Sequence, residues 1–234
     1  MTKFFKNLYR LLWVNTPIFI ILNYVRNFIP NYKSKGKSKK IENIIYDKFK
    51  SLNSNDKWFC NNLNFLTNNF KEIKNIKDIL EIGSYEGRSS IFFLKNFSGS
   101  NITCVDTWEG SDEHDNFDFK EIENNFDYNT SNFQLKNLLI KEKMTSDNFF
   151  RKNQKNFDLI YVDGDHSSHQ VKIDINNSWN SLKPGGFLIL DDYMWWYYKD
   201  LKKNPSTPIN EFIKENLNSI SKLIVWHQIK KKKS

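Results

Sequence analysis

At 234 residues the chain accommodates one α/β domain with an ordinary core and some extra segments, and it is too short for two comfortable domains. Its formal charge of +8 would suggest nucleic acid, but residues 1–41 hold nine Lys or Arg and no acid, and "KKKK" at 230–233 adds four more. The remaining 22 basic and 27 acidic residues make a body of about −5, so both basic ends read as tails and no nucleic-acid partner is expected. Cys60 and Cys104 have neither metal-ligand nor disulfide-framework spacing, which makes a reducing cytoplasm the default.

The most apolar stretch, "LLWVNTPIFIILNYVRNFI" at 11–29, is interrupted by Asn15, Pro17, Asn23 and Arg26. No uninterrupted run reaches the roughly 18 to 20 residues of a membrane span. No small-residue cleavage site follows, which argues against a signal peptide. Two readings stay open: an interfacial helix making peripheral contact with anionic lipid at the cytoplasmic membrane face, or helices packing on the domain or on a partner subunit, as in a homodimer. "KSKGKSKK" at 33–40 reads as a solvated linker. Residues 1–40 are thus an N-terminal extension and 41–234 the domain.

"IENIIYDKFKSL" (41–52) and "NNLNFLTNNFKEI" (61–73) repeat apolar residues at helical spacing. Short apolar runs follow: "DILEI" (78–82), "ITCV" (102–105), "NLLIKE" (137–142), "FDLIYV" (157–162) and "GFLIL" (186–190). Each is too short for a helix and reads as a buried parallel strand, with crossovers long enough for helices. Ser167 and Gln170 make a capping-box pattern ahead of Val171, Ile175, Trp179 and Leu182 on one helical face. "KPGG" (183–186) then stops that helix and turns the chain into the next strand. The succession predicts a Rossmann-like, doubly wound, mostly parallel sheet with helices on both faces, whose ligands bind outside the carboxyl ends of the strands.

Glu81, Asp106, Asp163, Asp191 and Asp192 all stand at or just beyond such strand ends. In "LEIGSYEGRSS" (80–90), Gly83 and Gly87 occupy the turn into a helix, where glycine lets the backbone approach a ligand and the helix start offers free N–H groups. The spacing lacks the second glycine of the dinucleotide fingerprint, and an acid in the turn suits a ligand with an amino group and a sulfonium better than a pyrophosphate. Asp106, ending the next strand, has close to the spacing at which an acid accepts from ribose hydroxyls. The segment 107–133 carries eight acids and one lysine; it is either a lid contacting substrate through Trp108, Glu109 and His114 or a solvated acidic helix. In "DDYMWWYY" (191–198), Trp195 and Trp196 either wall an acceptor pocket or pack in the core.

Taken in order, "LEIGSYEGRSS", "VDTWEGS", "FDLIYVDGDHSSHQV" and "LKPGGFLILDDY", covering about residues 78–193, resemble the motifs of the class I S-adenosylmethionine-dependent methyltransferases. The resemblance implies S-adenosylmethionine as cofactor, held by Glu81, Gly83, Ser84, Tyr85, Gly87, Ser89, Asp106, Thr107, Trp108, Ser146 and Asp163. "YVDGDH" and "LDDY" further resemble the metal-dependent O-methyltransferases, which act on small-molecule and sugar hydroxyls. This implies a divalent cation, with Mg²⁺ expected, on Asp163, Asp191 and Asp192. The Asp-Asp pair is closer to the sugar-modifying members than to the catechol type, which has Asp-Asn.

Three carboxylates converging from strand ends would raise one another's pKa unless a cation neutralised them, and hard oxygen ligands favour Mg²⁺ or Ca²⁺. Asp163 and His166 are the candidate catalytic bases for an acceptor hydroxyl of a small molecule or glycan. His169 is expected to face solvent. The end of the chain, "SKLIVWHQIKKK", looks short for two closing strands, so the final hairpin is expected to be abbreviated or absent. Two alternatives accompany the reading: a metal-independent methyltransferase of the same fold, and a non-catalytic scaffold recruited through residues 1–40.

Overall fold

The computed structural model describes residues 3–33, 35–46, 48–52, 59–71, 73–111, 117–225 and 229–233; His114 lies outside them. The chain divides into two compact units, residues 30–153 and residues 1–29 with 154–234.

The unit of residues 30–153 is built on three parallel strands, β1 (Asp78–Ile82), β2 (Asn101–Asp106) and β3 (Leu139–Lys143), in the order β3-β2-β1. Leu80, Ile102 and Cys104 are fully buried, as expected of strands covered on both faces. Among the described residues its α-helices are α3 (Lys35–Ile45), α4 (Leu63–Phe70), α5 (Arg88–Asn96), α6 (Phe119–Leu135) and α7 (Ser146–Lys152). Phe70 lies 5.8, 6.0 and 5.1 Å from the rings of Phe92, Phe93 and Phe97, an aromatic cluster that ties α4 to α5.

Helix α3 corrects the linker expected at 33–40. Ser38 is buried and its Oγ accepts from the Asn64 N–H at 3.1 Å, so a run rich in lysine is ordered by packing on one face. The same helix ends at Ile45, short of the predicted 52, and α4 is likewise shorter than its pattern.

The other unit carries the parallel pair β4 (Phe157–Val162) and β5 (Leu182–Leu190), followed by β6 (Ile220–Val225) and β7 (Ile229–Lys233), in the order β4-β5-β7-β6. "KPGG" does not precede β5 but lies inside it: Phe157 pairs with Leu182 and Leu159 with Phe187, so two residues of β4 face five of β5. Gly185 has φ +76, and a Cβ on Gly186 would stand 2.8 Å from the Lys183 carbonyl, so this bulge requires glycine. Helix α8 (Ser168–Asn180) starts as expected, with Ser167 Oγ accepting from the Gln170 N–H at 3.3 Å.

The closing hairpin is present, against expectation. β7 runs antiparallel to both neighbours, with Leu188 and Leu223 opposite Lys231, so "KKKK" is a paired strand and not a tail. Ladder hydrogen bonds are made by the backbone, so a polylysine run can fill the slot. Periodicity in side-chain hydropathy could not reveal it.

Residues 11–29 form parts of two helices, α1 (Lys3–Trp13) and α2 (Ile18–Lys33), separated by Asn15 at φ 52 and by Pro17. They are integral to this unit: Leu11, Ile20 and Tyr24 are buried. Thr16 Oγ1 accepts from Asn210 Nδ2 at 2.9 Å on α9 (Ser206–Glu215), and Asn210 Oδ1 accepts from the buried Tyr193 hydroxyl at 2.8 Å. Asn23 Nδ2 donates to the Leu223 carbonyl at 3.3 Å, reaching β6.

The position of β7 predicts that Lys231→Pro, which removes a ladder donor, destabilises the protein by about 1–3 kcal/mol, while Lys231→Thr stays within ~0.5 kcal/mol. Urea unfolding of the two variants checks this.

Candidate functional site

In the unit of residues 30–153, the glycine turn between β1 and α5 is built around two acids. Glu81 is 0% exposed, with Oε2 accepting from the Ser90 hydroxyl and from the Cys104 thiol at 3.4 Å, while Oε1 has no hydrogen-bond partner among the described residues. Burial pushes its pKa up to about 7, against the opposing pull of the neighbouring Ser89, Ser90, Ser84 and Cys104 side chains.

Asp106, at the end of β2, accepts from the N–H groups of Ser84 at 2.8 Å and Tyr85 at 2.9 Å through Oδ2, and from Trp108 at 2.8 Å through Oδ1. A carboxylate has about four acceptor positions, so these three donors fix its orientation and leave room for a ligand hydroxyl. The turn is therefore more self-contained than its sequence suggests. The N–H groups of Gly83 and Gly87 are also bonded within it, to the carbonyls of Val105 and Ser84.

Gly87 has φ +84, and a Cβ there would meet Thr130 Cγ2 at 2.8 Å, so this glycine is required by the packing of α5 on α6. Ser89 is buried in the first turn of α5, Thr107 Oγ1 accepts from the Glu109 N–H at 3.2 Å, and Ser146 opens α7 directly after the cap residue Thr145.

Trp108 does not extend as part of a lid. Only 4% exposed, it packs 4.8 Å from Phe126, donates Nε1–H to the Tyr85 carbonyl at 2.9 Å and lies 4.6 Å beneath Lys141 Nζ. Its aromatic bulk is better buried than solvated, and that turns it inward against the expectation of a substrate contact. Residues 119–133 of the acidic segment lie in α6, where Glu123 and Asp127 pair with Lys141, each at 2.8 Å. Glu86, which no sequence signal marked, is buried: Oε1 accepts from the Leu52 N–H at 2.6 Å and Asn125 Nδ2 at 3.0 Å, and Oε2 from the Ser51 hydroxyl at 2.7 Å.

The second cluster sits beyond the carboxyl ends of β4 and β5. Among the described residues, ligand atoms of Asp163, His166 and Asp192 lie within 4.8 Å of one another. His166 Nε2 is 2.9 Å from Asp192 Oδ2 and 3.5 Å from Asp163 Oδ1. Asp191, the third acid of the expected ligand set, is turned aside: its Oδ2 accepts from the Tyr161 hydroxyl and its Oδ1 from the Asp192 N–H at 2.8 Å. Asp192 adopts φ 51, a left-handed conformation that separates the directions of the two neighbouring carboxylates.

Tyr161, which sequence reasoning passed over, also reaches Asp163 Oδ2 at 2.9 Å. The two-residue period of a strand, which puts Tyr161 on the same side as Asp163, was the available signal. Burial, then the Asp192 charge, raises the Asp163 carboxyl to about 6 against the pull of His166; burial and the charges of Asp163 and Asp192 raise Asp191 well above the usual range. Two carboxylates, Asp163 and Asp192, still solvent-accessible at 26% and 34%, form a hard-oxygen pair that fits a divalent cation, with the His166 imidazole beside them. Trp195 lies exposed 5.9 Å from the His166 ring, whereas Trp196 packs under Arg10 at 5.3 Å.

Residues 80–193 match a family model described as a methyltransferase domain. An uncharacterized protein of Sinorhizobium fredii is 27% identical over 137 residues, which cover 53% of this chain and 15% of that protein. Among solved structures, a Staphylococcus aureus protein assigned as a caffeoyl-CoA O-methyltransferase has a TM-score of 0.56 at 13% identity, covering 92% of this chain and all of that one. The MycE methyltransferase of the mycinamycin biosynthetic pathway, solved with Mg, SAH and mycinamycin VI, has a TM-score of 0.52 at 15% identity over 84% of this chain and 54% of that one. These likenesses give the fold as the Rossmann-like α/β fold expected.

The Glu81 environment predicts a pH-dependent stability. The folded protein holds the proton up to about pH 7 and the unfolded chain releases it near 4.5, so stability falls as pH rises between those values, by on the order of 3 kcal/mol from this group. Glu81→Gln is expected to gain on the wild type steadily across that window in thermal melts, with the difference constant above it.

Proposed function

We propose that the class I methyltransferase domain at residues 80–193 transfers a methyl group from S-adenosylmethionine to a hydroxyl oxygen of a small molecule or glycan, assisted by a divalent cation. The observation that carries the reading is the convergence of Asp163, Asp192 and His166 beyond β4 and β5. The Mg and SAH bound by the mycinamycin enzyme support it. When bound, the cofactor supplies an electrophilic sulfonium methyl, and the cation lowers the pKa of the acceptor hydroxyl.

In this reading Asp163 and Asp192 hold the cation, with Mg²⁺ the expected ion, and Asp191 joins them if it releases Tyr161. His166 Nε2 takes the acceptor proton, with Asp163 as the alternative base. Tyr161 holds Asp163 in place from below. Asp106 accepts from the ribose hydroxyls through the capacity its backbone donors leave, and Glu81, Gly83, Ser84, Tyr85, Gly87, Ser89, Thr107, Trp108 and Ser146 shape the surrounding turn. Trp195 offers the acceptor an exposed ring to stack on.

Calorimetric titration of S-adenosylhomocysteine, in Mg²⁺ and in chelator, is expected to give micromolar binding that weakens at least about tenfold in Asp106→Ala. Mn²⁺ titration followed by electron paramagnetic resonance should show one site, lost in Asp163→Asn and in Asp192→Asn. Absence of S-adenosylhomocysteine binding in both buffers would overturn the transferase reading and leave a scaffold. Turnover on an identified acceptor that persists undiminished in chelator would remove only the cation.

A further inference from the structure

Helices α1 and α2 bury one face each and present a second apolar face outward. On α1, Asn7 and Leu11 point inward, while Phe5, Tyr9, Leu12 and Trp13 are exposed on the opposite side, Trp13 by 60%. At 100° per residue these four span an arc of about 100°, an apolar stripe of the width that buried helix faces usually have. On α2, Ile20, Ile21 and Tyr24 are buried, and Ile18, Leu22 and Val25 form an exposed i, i+4, i+7 stripe, Leu22 at 61%.

The contacts that fold these helices onto their unit run through the inward faces: Phe4 with Tyr24 and Phe28, Asn7 with Tyr24, Thr16 with Asn210. The outward stripes therefore take no part in that packing. Large exposed apolar side chains concentrated in this way mark an interaction surface.

The charge around the stripes selects the occupant. Residues 1–41 contain nine Lys or Arg and no acid, and Lys3, Lys6 and Arg26 are exposed beside the stripes. A second copy docking through the same face would bring these cations against their equals, because a two-fold interface pairs a patch with itself. Protein interfaces are in general depleted of lysine. An anionic lipid surface meets both features at once, burying the apolar stripes at the acyl boundary and drawing the lysines to its headgroups. Tyr9 and Trp13, with ring centroids 6.1 Å apart, are the ring types that settle at that boundary. No helix among the described residues is long and apolar enough to cross a membrane, which fits a helix lying on the surface.

We infer that the outward faces of α1 and α2 dock the protein on an anionic lipid bilayer. The test is flotation of the full chain with vesicles of phosphatidylcholine alone and of equal parts phosphatidylcholine and phosphatidylglycerol, at low and high salt. The expected result is recovery with the anionic vesicles, reduced at least about tenfold by high salt and by Lys3→Gln with Lys6→Gln. Leu12→Glu with Leu22→Glu should abolish recovery while leaving thermal stability and S-adenosylhomocysteine affinity at wild-type values, since both side chains are exposed. Equal recovery on both vesicle types, or none on either, would overturn the inference. A lipid-free dimer in sedimentation velocity that the Leu12→Glu, Leu22→Glu variant dissociates would overturn it too, assigning the face to a second copy.

Discussion

A carboxylate at the end of a buried parallel strand must be met by something, because its desolvation costs several kcal/mol when left unanswered. This chain places acids at four such ends and answers them differently. Asp106 is held by three backbone N–H groups, which makes it a fixed acceptor at the centre of the glycine turn. Glu81 is met by a hydroxyl and a thiol, a weaker response, and its proton affinity rises accordingly. Asp163, Asp191 and Asp192 stand close to one another, with the Tyr161 hydroxyl and the His166 imidazole between them.

That last arrangement is poorly designed for stability alone. A tyrosine hydroxyl has one proton and stands within reach of two carboxylates, so it cannot satisfy both as anions. Like charges left this close are more characteristic of a site that recruits a cation or a proton than of a structural network. The acids in the glycine turn show the contrast, since the backbone and α5 respond to them without any added ligand.

The N-terminal helices present two distinct faces within one short sequence. Their inward faces complete the unit that carries β4 and β5, through the Thr16, Asn210 and Tyr193 chain of hydrogen bonds. Their outward faces carry apolar surface which that packing does not use. The hydrophobic run is interrupted because Asn15 and Pro17 break the helix so that both halves can pack.

Much of this was legible beforehand. The strands "DILEI" and "FDLIYV" were found at their predicted limits because a short apolar run with both faces buried has a local signature. The Ser167 cap was likewise written in residues three apart. The candidate acids were visible because charge at a strand end is a sequence property. What the sequence did not reveal depended on neighbours distant in the chain. Lys230–Lys233 became a strand because β5 and β6 supply partners for its backbone, and the lysine-rich 35–40 became helix because α4 supplies a face to bury Ser38. Trp108 turned inward because Tyr85 and Phe126 meet it there. Local pattern thus determined which residues are strands, caps and candidate ligands. Tertiary packing alone decided that His166 converges with Asp163 and Asp192 while Asp191 turns to Tyr161, since that choice is set by side-chain direction and competing hydrogen bonds.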